Sequence, residues 1–374
     1  MAWRIPVARP DVGPEEAAAV QEVMASGWIT QGPRVRRFEE AFARLCAVPH
    51  AVATNTGTGA LHVALLALDL GTDDEVITTP LSCIASANPI LFHGARPVFA
   101  DVEPETYNLS LADVEKRITS RTRAILPVHL FGHPLDLDPL LELARAHRLR
   151  VIEDASQATG ARYKDRPVGG FGDVGCFSLY ANKIVTSGEG GMIVTRDADL
   201  ARRMAAIRNF GQLPGEHFLH PLLGGNYKMT DVHAAIGCVQ LGKIDGYIAR
   251  RRENVAMLNS ALAPLTRLIE RLPGERPWAR SVYFGYSILF RTAELRRRAE
   301  EALHEAGIET RPFFSLITEQ APYQSRGFDP ADTPVAADLV ARGLYVSNSP
   351  DLGPDDRALI VETLTRVASA AGAG

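Results

Sequence analysis

Short strand-like runs alternate with helical patterns through the first 195 residues of the chain. The runs cover residues 50–54, 75–79, 97–101, 123–128, 150–154 and 192–195. Helical patterns over residues 60–70 and 135–148 lie between some of them, and parallel strands need such crossover segments. The alternation therefore predicts an α/β fold around a buried, mostly parallel sheet.

The pattern of short strands and helices changes near residue 243, which predicts a second domain. The chain has 374 residues, more than the roughly 250–300 at which single cores stop growing. Beyond residue 243 a long helical stretch precedes a strand-like run at 282–290 and a helix around 293–306. We predict a large domain over residues 1–243, which includes the N-terminal segment, and a smaller α+β domain over 244–374. Near the start, Pro14 and the acids after it predict a helix that Gly27 ends.

The charge and hydropathy of the chain exclude several kinds of partner. The net charge of −4 gives no overall positive field for nucleic acid or an anionic membrane. The arginine triplets at 250–252 and 296–298 are predicted to be solvated helix faces. No apolar stretch approaches the ~20 residues of a membrane span, and the N-terminus lacks the apolar core of an export signal.

The cysteines predict neither a zinc site nor a redox pair. They are scattered, without C-x-x-C spacing, at Cys46, Cys83, Cys176 and Cys238. No metal site is therefore expected. Reduced thiols are typical of the cytoplasm, where we expect this protein to be.

Two segments of the predicted sheet point to a ligand site. The strand at 150–154 ends in Asp154, and open α/β sheets bind ligands beyond such strand ends. Capping of a following helix is an equally good interpretation of Asp154. Residues 54–62 contain Gly57 and Thr58 and pass from strand to helix through small residues, as in a phosphate cradle. His62 replaces the third glycine of a dinucleotide fingerprint, and a simple tight turn is the alternative.

Lys183 adds a third chemical group. It follows an apolar strand and precedes a glycine-rich turn, which suits a desolvated amine for Schiff-base chemistry. A lone lysine is far more often a surface charge. A phosphate cradle, an acid for a pyridine nitrogen and a Schiff-base lysine are, however, what pyridoxal 5′-phosphate (PLP) requires, and the chain supplies all three from one predicted sheet.

The whole chain resembles the DegT/DnrJ/EryC1/StrS family of sugar aminotransferases. The segments that carry the resemblance are GWITQGPRVRRFEEAFA, TNTGTGALHVALLAL, LPVHLFGHPLDLDPL, IEDASQATGARY, GDVGCFSLYANKIVTSGEGGMIVT, GGNYKMTDVHAAIGCVQL and GIETRPFFS. The resemblance implies a fold-type-I PLP-dependent transferase, whose large domain binds the cofactor. It also implies a homodimer with shared active sites.

The resemblance assigns a role to each residue of the cofactor site. Lys183 binds PLP as a Schiff base and later acts as the base, while Asp154 pairs with the pyridine nitrogen. Gln157 lies on the side of the ring's 3-oxygen. The phosphate ligands are Gly57, Thr58 and Ser178, with Asn226 reaching the phosphate of the neighbouring subunit.

Cys83 and Asn226 each have a second interpretation. Cys83 stands where the family usually has an aromatic residue against the cofactor ring, and we expect a buried cysteine without reactivity. Asn226 follows Gly224 and Gly225, so the alternative is an ordinary turn residue.

The resemblance implies transfer of an amino group from an amino acid, L-glutamate, to a nucleotide-linked keto sugar. The segment GIETRPFF at 307–314 resembles the perosamine-synthase branch and favours a 4-keto-6-deoxyhexose. A 3-keto sugar nucleotide or a keto-cyclitol stays open as acceptor. A PLP-dependent sugar dehydratase would have histidine instead of Lys183, a regulatory homologue would lack Lys183 or Asp154, and a nicotinamide enzyme would need the missing glycine fingerprint.

The histidines receive no catalytic role. His129, His133, His217 and His220 show no metal-binding spacing such as H-E-x-x-H. For His217 and His220, a contact with the substrate stays open.

Overall fold

A computed structural model of the protein describes residues 3–213, 215 and 218–371. His217, considered above as a substrate contact, lies outside these residues. The helices are α1 Pro14–Ser26, α2 Pro33–Leu45, α3 Gly57–Ala67, α4 Asn88–Phe92, α5 Leu111–Arg117, α6 Leu137–His147, α7 Ala198–Arg208, α8 Asp231–Gly242, α9 Ile244–Leu262, α10 Ala293–Glu305, α11 Ala321–Gln324, α12 Pro334–Arg342 and α13 Pro354–Ala371. The strands are β1 His50–Thr54, β2 Glu75–Thr78, β3 Arg96–Phe99, β4 Thr122–Leu126, β5 Arg150–Asp154, β6 Arg162–Tyr163, β7 Arg166–Pro167, β8 Val174–Ser178, β9 Gly191–Thr195, β10 Ile269–Arg271, β11 Ala279–Arg280, β12 Tyr286–Phe290, β13 Arg311–Pro312 and β14 Gly343–Val346.

The predicted mostly parallel sheet is confirmed. Its strand order is β1-β9-β8-β5-β4-β2-β3, and β9 runs antiparallel to both of its neighbours. The other neighbouring pairs are parallel. Parallel strands end at one edge, so the ends of β2, β5 and β8 face the same region.

The first helix and the cradle helix form where the sequence signals them. Helix α1 has Pro14 in its first turn and ends at Gly27, whose φ of 69° is left-handed. Helix α3 begins after Thr56, whose hydroxyl accepts a hydrogen bond from the N–H of Gly59 over 2.9 Å. The N-terminus of α3 is thereby fixed at the end of β1.

A second, antiparallel sheet lies beyond the α8–α9 junction. Its order is β10-β12-β14-β13, and one of the hydrophobic clusters packs against it. Elements from the two halves of the chain also touch: β11 pairs with β6, and Ile5 forms a bridge with Ile308. The division at residue 243 remains a proposal.

The predicted burial of two residues is wrong. Arg251, expected on a solvated face, is buried, and its guanidinium donates to the backbone oxygens of Phe284 and Asn348 over 3.1 and 2.9 Å. Burial lowers the pKa of Arg251 to about 10. Cys83, expected to be buried, is exposed.

No described helix is long and apolar enough to cross a membrane. The residues that the structure describes contain no group of three or more His, Cys, Asp or Glu side chains that could hold a metal ion.

Candidate active site

A cavity of about 330 Å³ lies beyond the ends of β5 and β8 and the start of α3. Seven of the eight residues predicted for the cofactor site line it: Gly57, Thr58, Cys83, Asp154, Gln157, Ser178 and Lys183. The eighth, Asn226, is exposed and does not line this cavity. The structure therefore brings together groups that are more than a hundred residues apart in the chain.

The floor of the cavity is an anion cradle at the start of α3. Thr56 binds the N–H of Gly59, and the first turn of a helix cannot pair the N–H groups of Gly57 and Thr58 internally. A Cβ atom on Gly57 would lie 2.7 Å from the Cβ of Ser178. Any side chain at position 57 would thus fill the space between the helix and Ser178, so the glycine keeps this cradle open.

Asp154 is buried at the end of β5 and faces the cavity. The Ser86 hydroxyl donates to its Oδ2 over 2.7 Å, and the N–H of Ser156 donates to its Oδ1 over 3.0 Å. Residues 155–160 form turns rather than a helix, so the alternative in which Asp154 caps a helix is wrong. A carboxylate held on two sides is available to a positive group in the cavity.

Lys183 lies in the connection between β8 and β9, and its N–H donates to the carbonyl of Tyr180 over 2.9 Å. Its Nζ lies 4.7 Å from the centroid of the Phe284 ring. Desolvation lowers the pKa of the Lys183 amine, against the smaller opposing effects of Cys83 and Asp154. A larger fraction of this amine is therefore unprotonated than of an exposed lysine, which makes it more available as a nucleophile and as a proton acceptor.

Gln157 presents a donor to the cavity. Its Oε1 accepts the N–H of Phe131 over 2.9 Å, which leaves the Nε2 group as the other polar end of the side chain. An amide N–H₂ donates hydrogen bonds and suits an oxygen ligand.

Glu153 lies on the opposite face of β5 from Asp154 and is completely buried. Burial by itself raises the pKa of Glu153, but hydrogen bonds outweigh burial and hold the pKa below its usual value. The donors are His129 Nε2 at 3.1 Å and the N–H groups of Gly169, Phe171 and Gly172 at 2.7, 2.8 and 2.8 Å. Glu153 therefore anchors the loop that precedes β8.

Sequence reasoning missed several residues that line the same cavity, among them Ser82, Ser86, Tyr180 and Glu189. The two serines lie four positions apart on either side of Cys83. Ser82 lies outside the 3-10 turn Ile84–Ser86, so no helical periodicity in the sequence signals that the two side chains meet.

These groups fit PLP, the cofactor that the resemblance implies. An N–H cradle suits a phosphate, a carboxylate suits a protonated pyridine nitrogen, and a desolvated amine suits an aldehyde. All three line one cavity.

Comparison with known proteins agrees with the site. The profile of the DegT/DnrJ/EryC1/StrS aminotransferase family matches residues 10–365. GDP-perosamine synthase of Caulobacter vibrioides is 40% identical over 367 residues, which cover 97% of this chain and 98% of the relative. A crystal structure of DesV from S. venezuelae has a TM-score of 0.90 at 34% identity and covers 95% of this chain and 94% of that one. The PLP form of the putative sugar aminotransferase Spr1654 from Streptococcus pneumoniae has a TM-score of 0.93 at 26% identity, covering 98% and 99%.

Proposed function

Because the chain belongs to the DegT/DnrJ/EryC1/StrS aminotransferase family, we propose that it transfers an amino group from L-glutamate to a nucleotide-linked 4-keto-6-deoxyhexose. That the protein is a PLP-dependent sugar aminotransferase follows from the family match and its structural relatives. The donor and the acceptor are the proposal. The desolvated Lys183 amine in one cavity with Asp154 supports the reaction type, and the likeness to GDP-perosamine synthase supports the acceptor.

The residues that would hold PLP divide by the part of the cofactor they suit. We assign the phosphate to the N–H groups of Gly57 and Thr58 and to the hydroxyl of Ser178. Asp154 would pair with the pyridine nitrogen, and Gln157 would donate to the ring's 3-oxygen. Bound PLP supplies an electron sink for the electrons left when the donor's Cα loses its proton.

Two side chains carry the proton chemistry. Lys183 Nζ would take the proton from the donor's Cα, and burial, which lowers the pKa of this amine, favours its unprotonated form. Asp154 keeps the pyridine nitrogen protonated, since an opposite charge stabilises the charged form by ~1–3 pKa units. With the keto sugar in the site, Lys183 Nζ would return a proton to the sugar carbon that receives the amino group.

The choice of a 4-keto acceptor is supported by two observations. The segment GIETRPFF resembles the perosamine-synthase branch, and the Caulobacter relative is named GDP-perosamine synthase. A 3-keto sugar nucleotide or a keto-cyclitol is the alternative acceptor. A cytoplasmic location stays a prediction from the sequence.

An assay with matched substrates tests donor and acceptor together. Purified enzyme is given L-glutamate and GDP-4-keto-6-deoxymannose, and 2-oxoglutarate and the amino sugar product are measured. Matched arms replace the acceptor by a 3-keto sugar nucleotide, the nucleotide by dTDP, or the donor by L-glutamine. Faster turnover of a 3-keto sugar than of every 4-keto sugar overturns the acceptor, and absence of 2-oxoglutarate overturns the donor.

We also propose a homodimer in which Asn226 serves the partner's site. In its own chain Asn226 is exposed, and its Oδ1 accepts only a long 3.4 Å hydrogen bond from the N–H of Lys228 among the bonds described. In a two-fold dimer such an exchange is reciprocal.

Mixed dimers test this assignment. A dimer of one Lys183→Ala subunit and one Asn226→Ala subunit has one site with both lesions and one with neither, so exchanging subunits should restore activity. If Asn226→Ala alone is impaired and verified mixed dimers are no more active than the average of their parents, Asn226 acts within its own subunit.

A further inference from the structure

Beside Asp154 lies a pair of buried serines to which the proposed mechanism assigns no role. Ser82 and Ser86 have exposed fractions of 3% and 1%. Their hydroxyl oxygens are 3.0 Å apart, and the Ser86 hydroxyl donates to Asp154 Oδ2 over 2.7 Å. Ser82, Ser86 and Asp154 thus form one hydrogen-bonded row along the wall of the cavity.

The direction of this row follows from its last member. An ionised carboxylate accepts hydrogen bonds and cannot donate them. Ser86 must therefore give its single proton to Asp154, and the bond between the serines must run from Ser82 to Ser86. Hydrogen bonds in such a chain polarise one another, so the Ser82 hydroxyl strengthens the bond that Ser86 donates.

The segment that carries the serines is held from both sides. Ile84–Ser86 form a short 3-10 turn, in which the N–H of Ser86 donates to the carbonyl of Cys83 over 3.0 Å. Behind it, the N–H of Ile317 donates to the carbonyl of Pro80 over 2.9 Å. The Tyr323 hydroxyl donates to Asn88 Oδ1 over 2.8 Å. These contacts hold the segment on both sides of Ser86, and the hydrogen bonds with Ser82 and Asp154 orient the Ser86 hydroxyl.

The other contacts of Asp154 leave a specific task for Ser86. The N–H of Ser156 holds Oδ1, but one bond to one oxygen leaves the carboxylate free to rotate about its own axis. The bond from Ser86 to Oδ2 fixes the second oxygen. Together the two donors fix the plane of the carboxylate while leaving lone pairs for the group that Asp154 faces.

We propose that Ser86, oriented by Ser82, is a positioning residue that aligns the Asp154 carboxylate with the pyridine nitrogen of PLP. The inference rests on the proposed role of Asp154. Loss of the Ser86 hydroxyl leaves Asp154 in place but misaligned, so the ring nitrogen is less fully protonated and transamination slows. Loss of the Ser82 hydroxyl acts one bond farther away and has a smaller effect in the same direction.

The test uses full-length holoenzyme loaded with PLP that carries ¹⁵N at the pyridine nitrogen, whose NMR resonance reports ring protonation without turnover. In Ser86→Ala we expect the resonance to move toward that of the unprotonated ring and kcat to fall about tenfold, the effect of one hydrogen bond to a charged group. Ser86→Thr, which keeps the hydroxyl, should restore both. Ser82→Ala should move both by a smaller amount.

Controls separate this inference from the proposed function and from a loss of folding. Ser281 is buried, and its hydroxyl donates to the carbonyl of Gly132 over 3.0 Å, outside the row, so Ser281→Ala should leave the resonance unchanged. If Asp154→Asn leaves the resonance unchanged, the proposed role of Asp154 fails. If Asp154→Asn moves it and Ser86→Ala does not, only the role of Ser86 fails. Should Ser86→Ala not fold, Ser82→Ala decides alone, and an unchanged resonance there overturns the inference.

Discussion

At the end of β5, the neighbouring carboxylates of Glu153 and Asp154 point to opposite faces of the sheet. Glu153, on the closed face, accepts hydrogen bonds from four donors: His129 and three backbone N–H groups. Asp154, on the cavity face, accepts from Ser86 and Ser156 and is otherwise directed at the cavity. The two residues differ by one methylene group, so their roles are set by the donors around them. Glu153, whose oxygens accept four hydrogen bonds within the protein, is a structural anchor. Asp154 keeps acceptor capacity that a ligand in the cavity can use.

Two lysines repeat the contrast. Burial lowers the pKa of Lys243, but hydrogen bonds to Glu15 and Glu16 outweigh it and raise the pKa above its usual value. For Lys183 burial dominates, and the pKa falls. Lys243 therefore stays a cation that joins α1 to α8, while Lys183 is available for reaction.

The largest expected effect comes from removing the reactive amine. Lys183→Ala should lose the borohydride-reducible adduct between protein and cofactor, and activity should fall by about 10⁴-fold or more, since the base is lost with the nucleophile. Mass spectrometry of the reduced, digested protein checks the adduct. Lys243→Ala is the matched control and should keep it. A reducible adduct in Lys183→Ala would place the covalent bond on another residue.

Asp154→Asn should lower activity by about 10²-fold, because an opposite charge stabilises the ring-nitrogen proton by ~1–3 pKa units. Cofactor binding should persist, since the phosphate cradle is unchanged. The measurements are kcat and the dissociation constant of PLP. Near-normal turnover contradicts the role proposed for this carboxylate.

The matching substitution on the closed face should lower the stability of the fold and leave activity nearly unchanged. Glu153→Gln replaces an acceptor by an amide whose N–H₂ group faces other donors, so unfolding should become easier by about 3 kcal/mol. Urea unfolding checks this loss, and the kcat of the folded protein should stay within a few-fold of wild type. A variant that is stable but inactive would reverse our assignment of the two faces.

The smallest effect concerns His133, whose Nδ1 has no hydrogen-bond partner among the described residues. Burial lowers the pKa of His133 from 6.5 to about 4. Between these values the unfolded chain binds the proton and the folded one does not, so stability is full above pH 6.5 and is lost as the pH falls toward 4. The group should cost about 2 kcal/mol at pH 5 relative to pH 7. In His133→Gln the pH dependence of urea unfolding should be weaker over this range; an unchanged slope would show that His133 does not titrate there.

The order of elements and most of the cavity were predictable from the sequence. The strands at β1 and β5 have the predicted bounds, because their apolar runs are sharply ended by turn residues. Asp154 and the cradle lie at the ends of β5 and β1, where the chain direction alone decides which edge of the sheet they reach, and Lys183 lies in the connection that follows β8.

The misses have a common physical cause. Arg251 is buried because carbonyls at 284 and 348 accept its hydrogen bonds, and no local pattern in an arginine triplet reports those acceptors. Likewise, Ser86 contacts Asp154 across 68 positions of the sequence. Exposure of Cys83 depends on a cavity built by several other segments. Contacts between distant segments decide each of these.

The connection between β8 and β9 limits how this enzyme can be altered. Ser178 pairs with Gly191. Inside the connection the N–H of Leu179 donates to the carbonyl of Gly190, and the carbonyl of Leu179 accepts from the N–H of Ser187. Lys183 thus lies in a closed hairpin, and hydrogen bonds between the two ends of this hairpin fix their register. An inserted or deleted residue there cannot be absorbed by sliding a strand, so it would shift the lysine itself. Libraries that seek new acceptors should keep the length of residues 179–190 constant and vary loops elsewhere.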